Sequence, residues 1–454
     1  MTTTTKFILV ADPHFFKNSL GAYGPDYDDF MSREQKCYAE TESINLAVMD
    51  WLKNQDISDT ILFAGDLSFN GEKESHKEYS RLLADLKASG KRLFVITAGH
   101  DISPDPFCYK GGERESAEGI TFDDLYGYYG DFGYNDAVSF FRKYMSYTAD
   151  ISDDVRLLAL CNDSPDDHGI AYTDELLDWV KEELCKAKEE GKTVIAMEHY
   201  PIIAGQPLFN IIPDARQKKA AQVIDLLSQG GCHLMFTGHM HNMSINSAKA
   251  SDGSDFYDVC TGSIIGWPAF MRVVTVTKTT DETKALIESI PIPDFDWDTK
   301  GKTCRQYLID QFDGMIRNFV SGARTDPERT LRKIRLGDKK ALVRPFKIVG
   351  SMAENWSVAK LAHFLWIPAD KSLKDIKVID FIATIVRQAF EGNQPYVEGT
   401  PEGDVVLRLL RRFRPLLKKV NMKGSQGEQM DLYETIRESL GNYGLDDYTV
   451  ELKL

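Results

Sequence analysis

Short apolar runs recur through the first 290 residues, and five of them end on polar residues of one chemical kind. Phe7 to Ala11 leads into Asp12-Pro13-His14, and Ile61 to Ala64 leads into Gly65-Asp66. Leu93 to Thr97 precedes Ala98-Gly99-His100-Asp101. Val194 to Met197 precedes His199, and Leu234 to Phe236 precedes Gly238-His239-Met240-His241. Such short, bounded apolar runs predict buried strands. Between them, Glu40 to Leu52, Tyr79 to Leu86 and Leu176 to Ala187 carry apolar residues near helical spacing, and Thr173 or Asp174 is expected to cap the third. After His241 the pattern turns to β over Met243 to Ser247, Phe256 to Cys260, Met271 to Thr277 and Lys284 to Ile290. The segments 15–35 and 102–134 are long, rich in Gly, Asp and Tyr, and weakly periodic. Loops of that length in a compact domain are usually functional, and both are expected to wall a substrate cleft. Trp267 is expected in a core rather than stacked on a base.

The segment from Pro291 to Asp298 holds two prolines and then acids, the composition of a hinge. It divides the chain into residues 1–292 and 293–454. Beyond it Tyr307, Leu308, Phe312, Met315, Ile316, Phe319 and Val320 form one helical apolar stripe, and Ile376, Ile379, Ile382, Ala383, Val386 and Phe390 form another. Val405 to Val420 sets Leu409, Leu410, Phe413, Leu416 and Leu417 against Arg408, Arg411, Arg412, Arg414, Lys418 and Lys419. That predicts an amphipathic helix whose basic face is a solvated surface. This second region carries no chemical constellation, and His363, in an apolar helical stretch, is expected in its core.

In an open α/β sheet, ligands bind where strands end at their carboxyl edge. The five blocks would therefore gather Asp12, His14, Asp66, His199, His239 and His241 into one cleft, with His100 and Asp101 beside them. Imidazole and carboxylate suit Zn, Mn, Fe and related ions. Two such ions about 3.5–4 Å apart hydrolyse phosphate esters and need a bridging ligand between separate terminal ligands. Asp12, His14 and His241 can serve one ion, His199 and His239 the other, and Asp66 is the natural bridge. An Asp-x-His or His-x-His pair on extended chain would point both side chains the same way.

Asp-x-His, Gly-Asp, His-Asp, His and Gly-His-x-His in this order resemble the calcineurin-like metallophosphoesterases over about residues 6–290. The stretches Gly65 to Lys73 and Asp131 to Ala137 resemble bacterial two-domain members related to cyclic-nucleotide phosphodiesterases. The resemblance implies a four-layer α/β/β/α sandwich with an all-helical C-terminal domain. It also implies a dinuclear centre of Mn, Fe or Zn and phosphodiester hydrolysis by a metal-bound hydroxide, with a cyclic nucleotide or similar small diester as substrate. His100 would protonate the leaving oxygen or hold the phosphoryl group, and Asp101 would hydrogen-bond that imidazole and raise its pKa. One position departs from the pattern. The family places an Asn ligand before the His-Asp pair, and this chain has Gly99, so the second ion is expected to bind more weakly. A phosphomonoesterase, or a degenerate member that binds without turnover, is the alternative.

The 454 residues carry a net charge of −15, unevenly spread. Residues 291–454 hold 27 Lys and Arg against 23 Asp and Glu, and the remainder holds 27 against 46. An acidic catalytic part repels long polyanions, so no nucleic-acid polymer is expected as partner. The seven cysteines are odd in number and scattered, which predicts reduced thiols. No signal peptide is visible after Met1 and no apolar run reaches the length of a membrane span, so a cytoplasmic enzyme is expected.

Overall fold

A computed structural model describes residues 2–161, 172–212, 214–333, 340–418, 420–425, 427–441 and 444–454. β1 (Thr3–Val10), β2 (Thr60–Ala64) and β3 (Arg92–Ile96) pair in parallel. β4 (Phe107–Cys108) and β5 (Glu115–Ser116) form a separate short ribbon. A second sheet contains β6 (Ser139–Phe141), β7 (Ser146–Asp150), β8 (Val155–Ala159), β9 (Thr193–Met197), β10 (Cys232–Thr237), β11 (Ser244–Lys249) and β12 (Asp255–Cys260). Its order is β11-β12-β10-β9-β8-β7-β6. β13 (Phe270–Lys278) returns antiparallel to β1, and β14 (Thr283–Pro291) pairs with β13. β15 (Asn421–Lys423) and β16 (Gln429–Asp431) make a second ribbon, and β17 (Thr449–Lys453) pairs with β14 at the edge of the first sheet.

The two sheets stack face to face. Phe7 on β1 meets Phe236 on β10 edge-on at 5.4 Å, and the Tyr147 hydroxyl on β7 donates to the Val95 carbonyl on β3. Helix Thr41–Asn54 buries Ile44, Val48 and Leu52, and helix Lys73–Ala88 buries Tyr79, Leu83 and Leu86, in the same core as the first sheet. Helices Asp174–Glu189 and Ala220–Gln229 pack Val180, Leu184, Val223 and Leu227 with Leu158, Ala196 and Met235 of the second sheet. The result is the expected four-layer α/β/β/α sandwich. Strands covered on both faces need continuous apolar sequence, and Phe7 to Ala11 and Ile61 to Ala64 are fully buried. Thr173 is the cap of its helix, its hydroxyl accepting from Leu176 N at 3.2 Å.

The C-terminal region is mainly helical, over Cys304–Thr325, Lys340–Asn355, Val378–Glu391 and Pro401–Leu417 among others. It is not all-helical, because β15 and β16 pair and β17 extends the first sheet. β17 covers the open edge of β14, and its five residues carry an alternation too short to stand out beside the helical stripes. Leu308 and Phe312 enter the core shared with the sandwich, and Phe312 meets Phe390 at 5.3 Å. The Phe390 carbonyl accepts from Met243 N just after His241, so this region buttresses the segment that follows the cleft.

Two smaller expectations change. The segment after Pro291 is a packed connector, not a hinge: Phe295 is buried and Trp297 Nε1 donates to the Tyr307 hydroxyl. His363 is exposed, because helix Val358–Phe364 turns only Val358 and Ala362 inward. Lys419 lies outside the described residues, while Arg411, Arg412 and Arg414 are solvated as expected. Trp267 is buried beneath the Arg305 guanidinium, 4.3 Å from the ring centroid. Each cysteine is a free thiol, and no helix among the described residues is long and apolar enough to cross a membrane.

Candidate metal centre

The carboxyl ends of β1, β2, β3, β9 and β10 meet at one edge of the sandwich and bring Asp12, His14, Asp66, His100, His199, His239 and His241 together. Three overlapping groups have their donor atoms within 4.8 Å: Asp12, His14 and His241; Asp66, His199 and His239; and His14, Asp66 and His100. The backbone that presents them is not extended, as Asp-x-His spacing had suggested. Asp12 (φ 49°), His14 (φ 36°), Asp66 (φ 50°), His239 (φ 63°) and His241 (φ 50°) are all left-handed. The chain turns sharply as it leaves each strand, and that turn aims the donors inward. Such conformations cost about 1–3 kcal/mol each and persist where the surroundings dictate them. The neighbouring glycines have the same origin. Gly65 has φ +85°, and a Cβ there would come within 2.8 Å of His199 Nδ1. A Cβ on Gly238 would overlap the Asp12 carboxylate.

The donor set fits metal ions. Ligand atoms about 2 Å from a common ion stand about 3 Å apart. His14 Nε2 lies 3.1 Å from His241 Nε2, and His241 Nε2 lies 3.3 Å from Asp12 Oδ1. Asp66 Oδ2 lies 3.0 Å from His199 Nε2 and 3.5 Å from His14 Nε2, so one carboxylate oxygen borders both groups. The ring protons are placed by backbone carbonyls, which can only accept. His199 Nδ1 donates to Ala64 O at 2.8 Å and His239 Nε2 donates to Asp214 O at 3.0 Å, leaving the opposite nitrogen of each ring as a donor atom for an ion. This is the usual support of a metal-binding imidazole. His199 Nε2 is buried with no hydrogen-bond partner. Main-chain amides fix the carboxylates: His239 N donates to both oxygens of Asp12, and His100 N donates to Asp66 Oδ1.

Electrostatics agree with that fit. Burial alone would lower the pKa of His199, but Asp66 and Asp12 outweigh it and hold the ring up at about 10. Burial alone would raise Asp66, but His199, His100 and His14 hold it well below the usual carboxylate range. The two carboxylates thus favour positive charge beside His199 Nε2, which is where an ion would sit. Burial, and then the His199 charge, push His239 down to about 3.

His100 and Asp101 do not form the expected pair. The two lie in the tight turn Gly99–Ile102, with three residues per turn, so consecutive side chains diverge. The Asp101 carboxylate turns away from the cleft and accepts from Ser68 N at 2.8 Å, Ser68 Oγ at 3.1 Å and Ala98 N at 2.9 Å. It holds the two strand-end loops together, and burial, followed by the Asp66 charge, pushes its pKa up to about 7. His100 is oriented instead by the Phe69 carbonyl, which accepts from Nδ1 at 2.7 Å and leaves Nε2 for the cleft. Burial and then the Lys36 charge lower its pKa to about 4, opposite to the expected direction.

Three further side chains belong to this site. Lys36 is buried, its ammonium 4.6 Å from the Phe69 ring centroid, and its charge lowers both His14 and His100. Lys218 and Tyr200 line a cavity of about 450 Å³ with Asp66, Gly99, His100, Ser103, Pro104 and His239. Both lysines sit in polar loops with nothing in their flanking sequence to distinguish them. Tyr200 could have been found, since it directly follows His199. Of the two expected cleft walls, Ser103 and Pro104 do line the cavity, and Gln35 reaches the rim by donating to the His241 carbonyl. Much of the rest is an aromatic cluster in which Phe30, Tyr38, Phe69, Phe107 and Tyr109 pack on one another. The Asp131–Ala137 stretch packs Phe132 and Tyr134 in the core, away from the cleft.

No curated protein matches the chain. Among solved structures, a dimetal phosphatase from Danio rerio is similar at a TM-score of 0.43 and 12% identity, covering 63% of this chain and 95% of that one. A putative 5'-nucleotidase from Staphylococcus aureus, solved with alpha-ketoglutarate, has a TM-score of 0.32 and 12% identity, covering 68% of this chain and 59% of that one. A predicted phosphoesterase from Streptococcus pneumoniae has a TM-score of 0.24 and 9% identity, covering 66% and 96%. The family model described as calcineurin-like phosphoesterase matches residues 5–243, the span that delivers every donor in the cleft. A match over more than half of the sequence settles the family: the chain belongs to the calcineurin-like phosphoesterases and is a metal-dependent phosphoester hydrolase.

Proposed function

We propose that the cleft holds two metal ions and hydrolyses small phosphodiesters, with cyclic nucleotides as the preferred substrate class. Asp12, His14 and His241 hold the first ion, His199 and His239 the second, and Asp66 bridges them. The observation that carries this reading is the position of Asp66 Oδ2, 3.0 Å from His199 Nε2 and 3.5 Å from His14 Nε2, at the seam of the two donor groups. A bound pair of ions supplies a water-derived nucleophile at neutral pH and offsets charge on the phosphoryl oxygens. The protein's own contribution is positioning. The Phe69 carbonyl holds His100 so that Nε2 can meet a phosphoryl or leaving-group oxygen. Lys218 lines the cavity, and the buried Lys36 lies near enough to His14 and His100 to lower both, so the two lysines add positive charge that favours an anionic substrate.

Two observations support a small diester. The cavity of about 450 Å³ suits a ligand of nucleotide size rather than a polymer. The Gly65 to Lys73 stretch resembles members related to cyclic-nucleotide phosphodiesterases. The full-length protein, stripped by chelator and reloaded with Mn, Fe or Zn, should cleave bis-p-nitrophenyl phosphate and cyclic nucleotides faster than p-nitrophenyl phosphate. Once an anionic substrate holds the ring protonated on both nitrogens, His100 Nε2–H serves as the leaving-group acid, which matters most for a poor leaving group, so His100→Ala should cost about 100-fold more on a cyclic nucleotide than on a p-nitrophenyl ester. Faster cleavage of monoesters would make the protein a phosphomonoesterase. Substrate binding without turnover in any metal would make it a degenerate member. Full activity in metal-free protein would overturn the reading altogether.

A further inference from the structure

The cleft departs from its family pattern at Gly99, and the structure gives that glycine a reason. Gly99 is not among the residues with left-handed backbone, so its conformation would accept a side chain. What stands in the way is one atom: a Cβ built at Gly99 would lie 2.9 Å from Tyr200 Oη. Glycine at this position therefore makes room for the Tyr200 hydroxyl. Tyr200 is nearly buried, its ring 4.5 Å from that of His239 and 5.0 Å from that of His199. Gly99 and Tyr200 share the cavity wall with Asp66 and His239, the residues assigned above to the second ion.

Resting on the two-ion reading, we propose that Tyr200 Oη is the oxygen donor that replaces the family's Asn at the second ion. The exchange is one oxygen for another, approached from the opposite wall. The Asn oxygen would reach inward from position 99, and the phenol oxygen comes from the segment after β9 to within 2.9 Å of the Cβ that such a residue would carry. With it the second ion would have two imidazoles and two oxygens from the protein, the donor number that the family's Asn would otherwise complete. Gly99 and Tyr200 are then one compensated change, and the second site is rebuilt rather than weakened.

Metal binding tests this without reference to turnover. Full-length protein is stripped by chelator and dialysed against Mn2+ or Zn2+, bound metal is counted by mass spectrometry, and the visible spectrum of the Co2+-loaded protein is recorded. Wild type should bind two ions. Tyr200→Phe keeps the ring and should leave the first ion untouched while weakening the second at least about 10-fold, with a changed Co2+ ligand field. Gly99→Asn alone should not tighten the second ion, because its Cβ displaces Tyr200 Oη. Gly99→Asn combined with Tyr200→Ala should recover most of the affinity that Tyr200→Ala alone loses. Two ions bound by Tyr200→Phe with wild-type affinity and spectrum would overturn the role of Tyr200 and leave the two-ion centre standing. Failure of wild type to bind a second ion would instead overturn the two-ion reading and this proposal with it.

Discussion

Asp12, His14, Asp66, His239 and His241 all hold left-handed backbone around one cleft, whereas from residue 304 onward only Trp366 and Asn393 do so among the described non-glycine residues. The cleft also buries Asp12, Asp66, Asp101 and several imidazoles, and leaves His199 Nε2 and His14 Nδ1 without hydrogen-bond partners. The C-terminal helices follow local rules instead. Thr303, Ser357 and Thr400 cap them, Leu308 and Phe312 turn inward, and charged pairs such as Arg317 with Asp380 lie at the surface. Residues that break local preferences concentrate where function needs them, and consistent sequence supplies the stability that holds them in place. Changes in the two regions should therefore separate function from stability.

The largest expected effect is at Asp66. Asp66→Asn removes the carboxylate that borders both donor groups, and residues acting as a unit lose nearly all of their rate enhancement together. Activity should fall by at least about 1,000-fold, with bound metal falling below one ion per chain and the circular dichroism spectrum unchanged. Two ions retained in this variant would remove Asp66 from the bridge. The converse change is Phe312→Ala, far from the chemistry but buried between the C-terminal helices and the sandwich. Urea denaturation of metal-loaded protein should show a loss of about 3–5 kcal/mol, with turnover per folded molecule preserved. If Phe312→Ala left stability unchanged, the C-terminal region would not be part of the structural support that the comparison assigns to it.

The sequence made the cleft legible because its chemistry and its strand ends coincide. A carboxylate or imidazole directly after a buried apolar run can be read from one dimension, and all six ligand candidates were. What escaped depends on backbone carbonyls and on directions. Nothing in His100-Asp101 shows that the two side chains diverge in a tight turn, or that Phe69 O orients the imidazole. The helical stripes of the C-terminal region were readable for the same reason as the strands, since burial imposes a period. β17 was not readable, because five alternating residues at a chain end become a strand only when β14 offers an open edge. His363 shows the opposite failure: an apolar neighbourhood in sequence does not choose which side of a short helix faces inward.

The smallest effect expected concerns the support beneath the cleft. Asp258 on β12 is fully enclosed and accepts from Ile202 N at 2.7 Å, Ile203 N at 2.9 Å and Thr237 Oγ1 at 2.7 Å. It thereby ties down the segment that follows His199. Burial raises its pKa from 3.8 to about 6 despite those hydrogen bonds. The folded state therefore binds a proton more readily than the unfolded state between about pH 4 and 6. Stability contributed by this group must fall as pH rises through that window and stay at its low level above it. Asp258→Asn keeps the shape and removes the charge. The difference in unfolding free energy between variant and wild type should shift in favour of the variant from pH 4 to pH 6, by at most about 3 kcal/mol. Titrating groups that do not feel Asp258 cancel in that difference, and Glu198, which burial and then, more weakly, Asp258 push up to about 8, titrates above that window. The same measurement on Arg317→Ala, an exposed pair 2.7 Å from Asp380, should give less than about 1 kcal/mol and no step near pH 6. A difference curve for Asp258→Asn that was flat from pH 4 to 8 would show that the buried carboxylate carries no stored cost, and the contrast between cleft and helices would then rest on backbone strain alone.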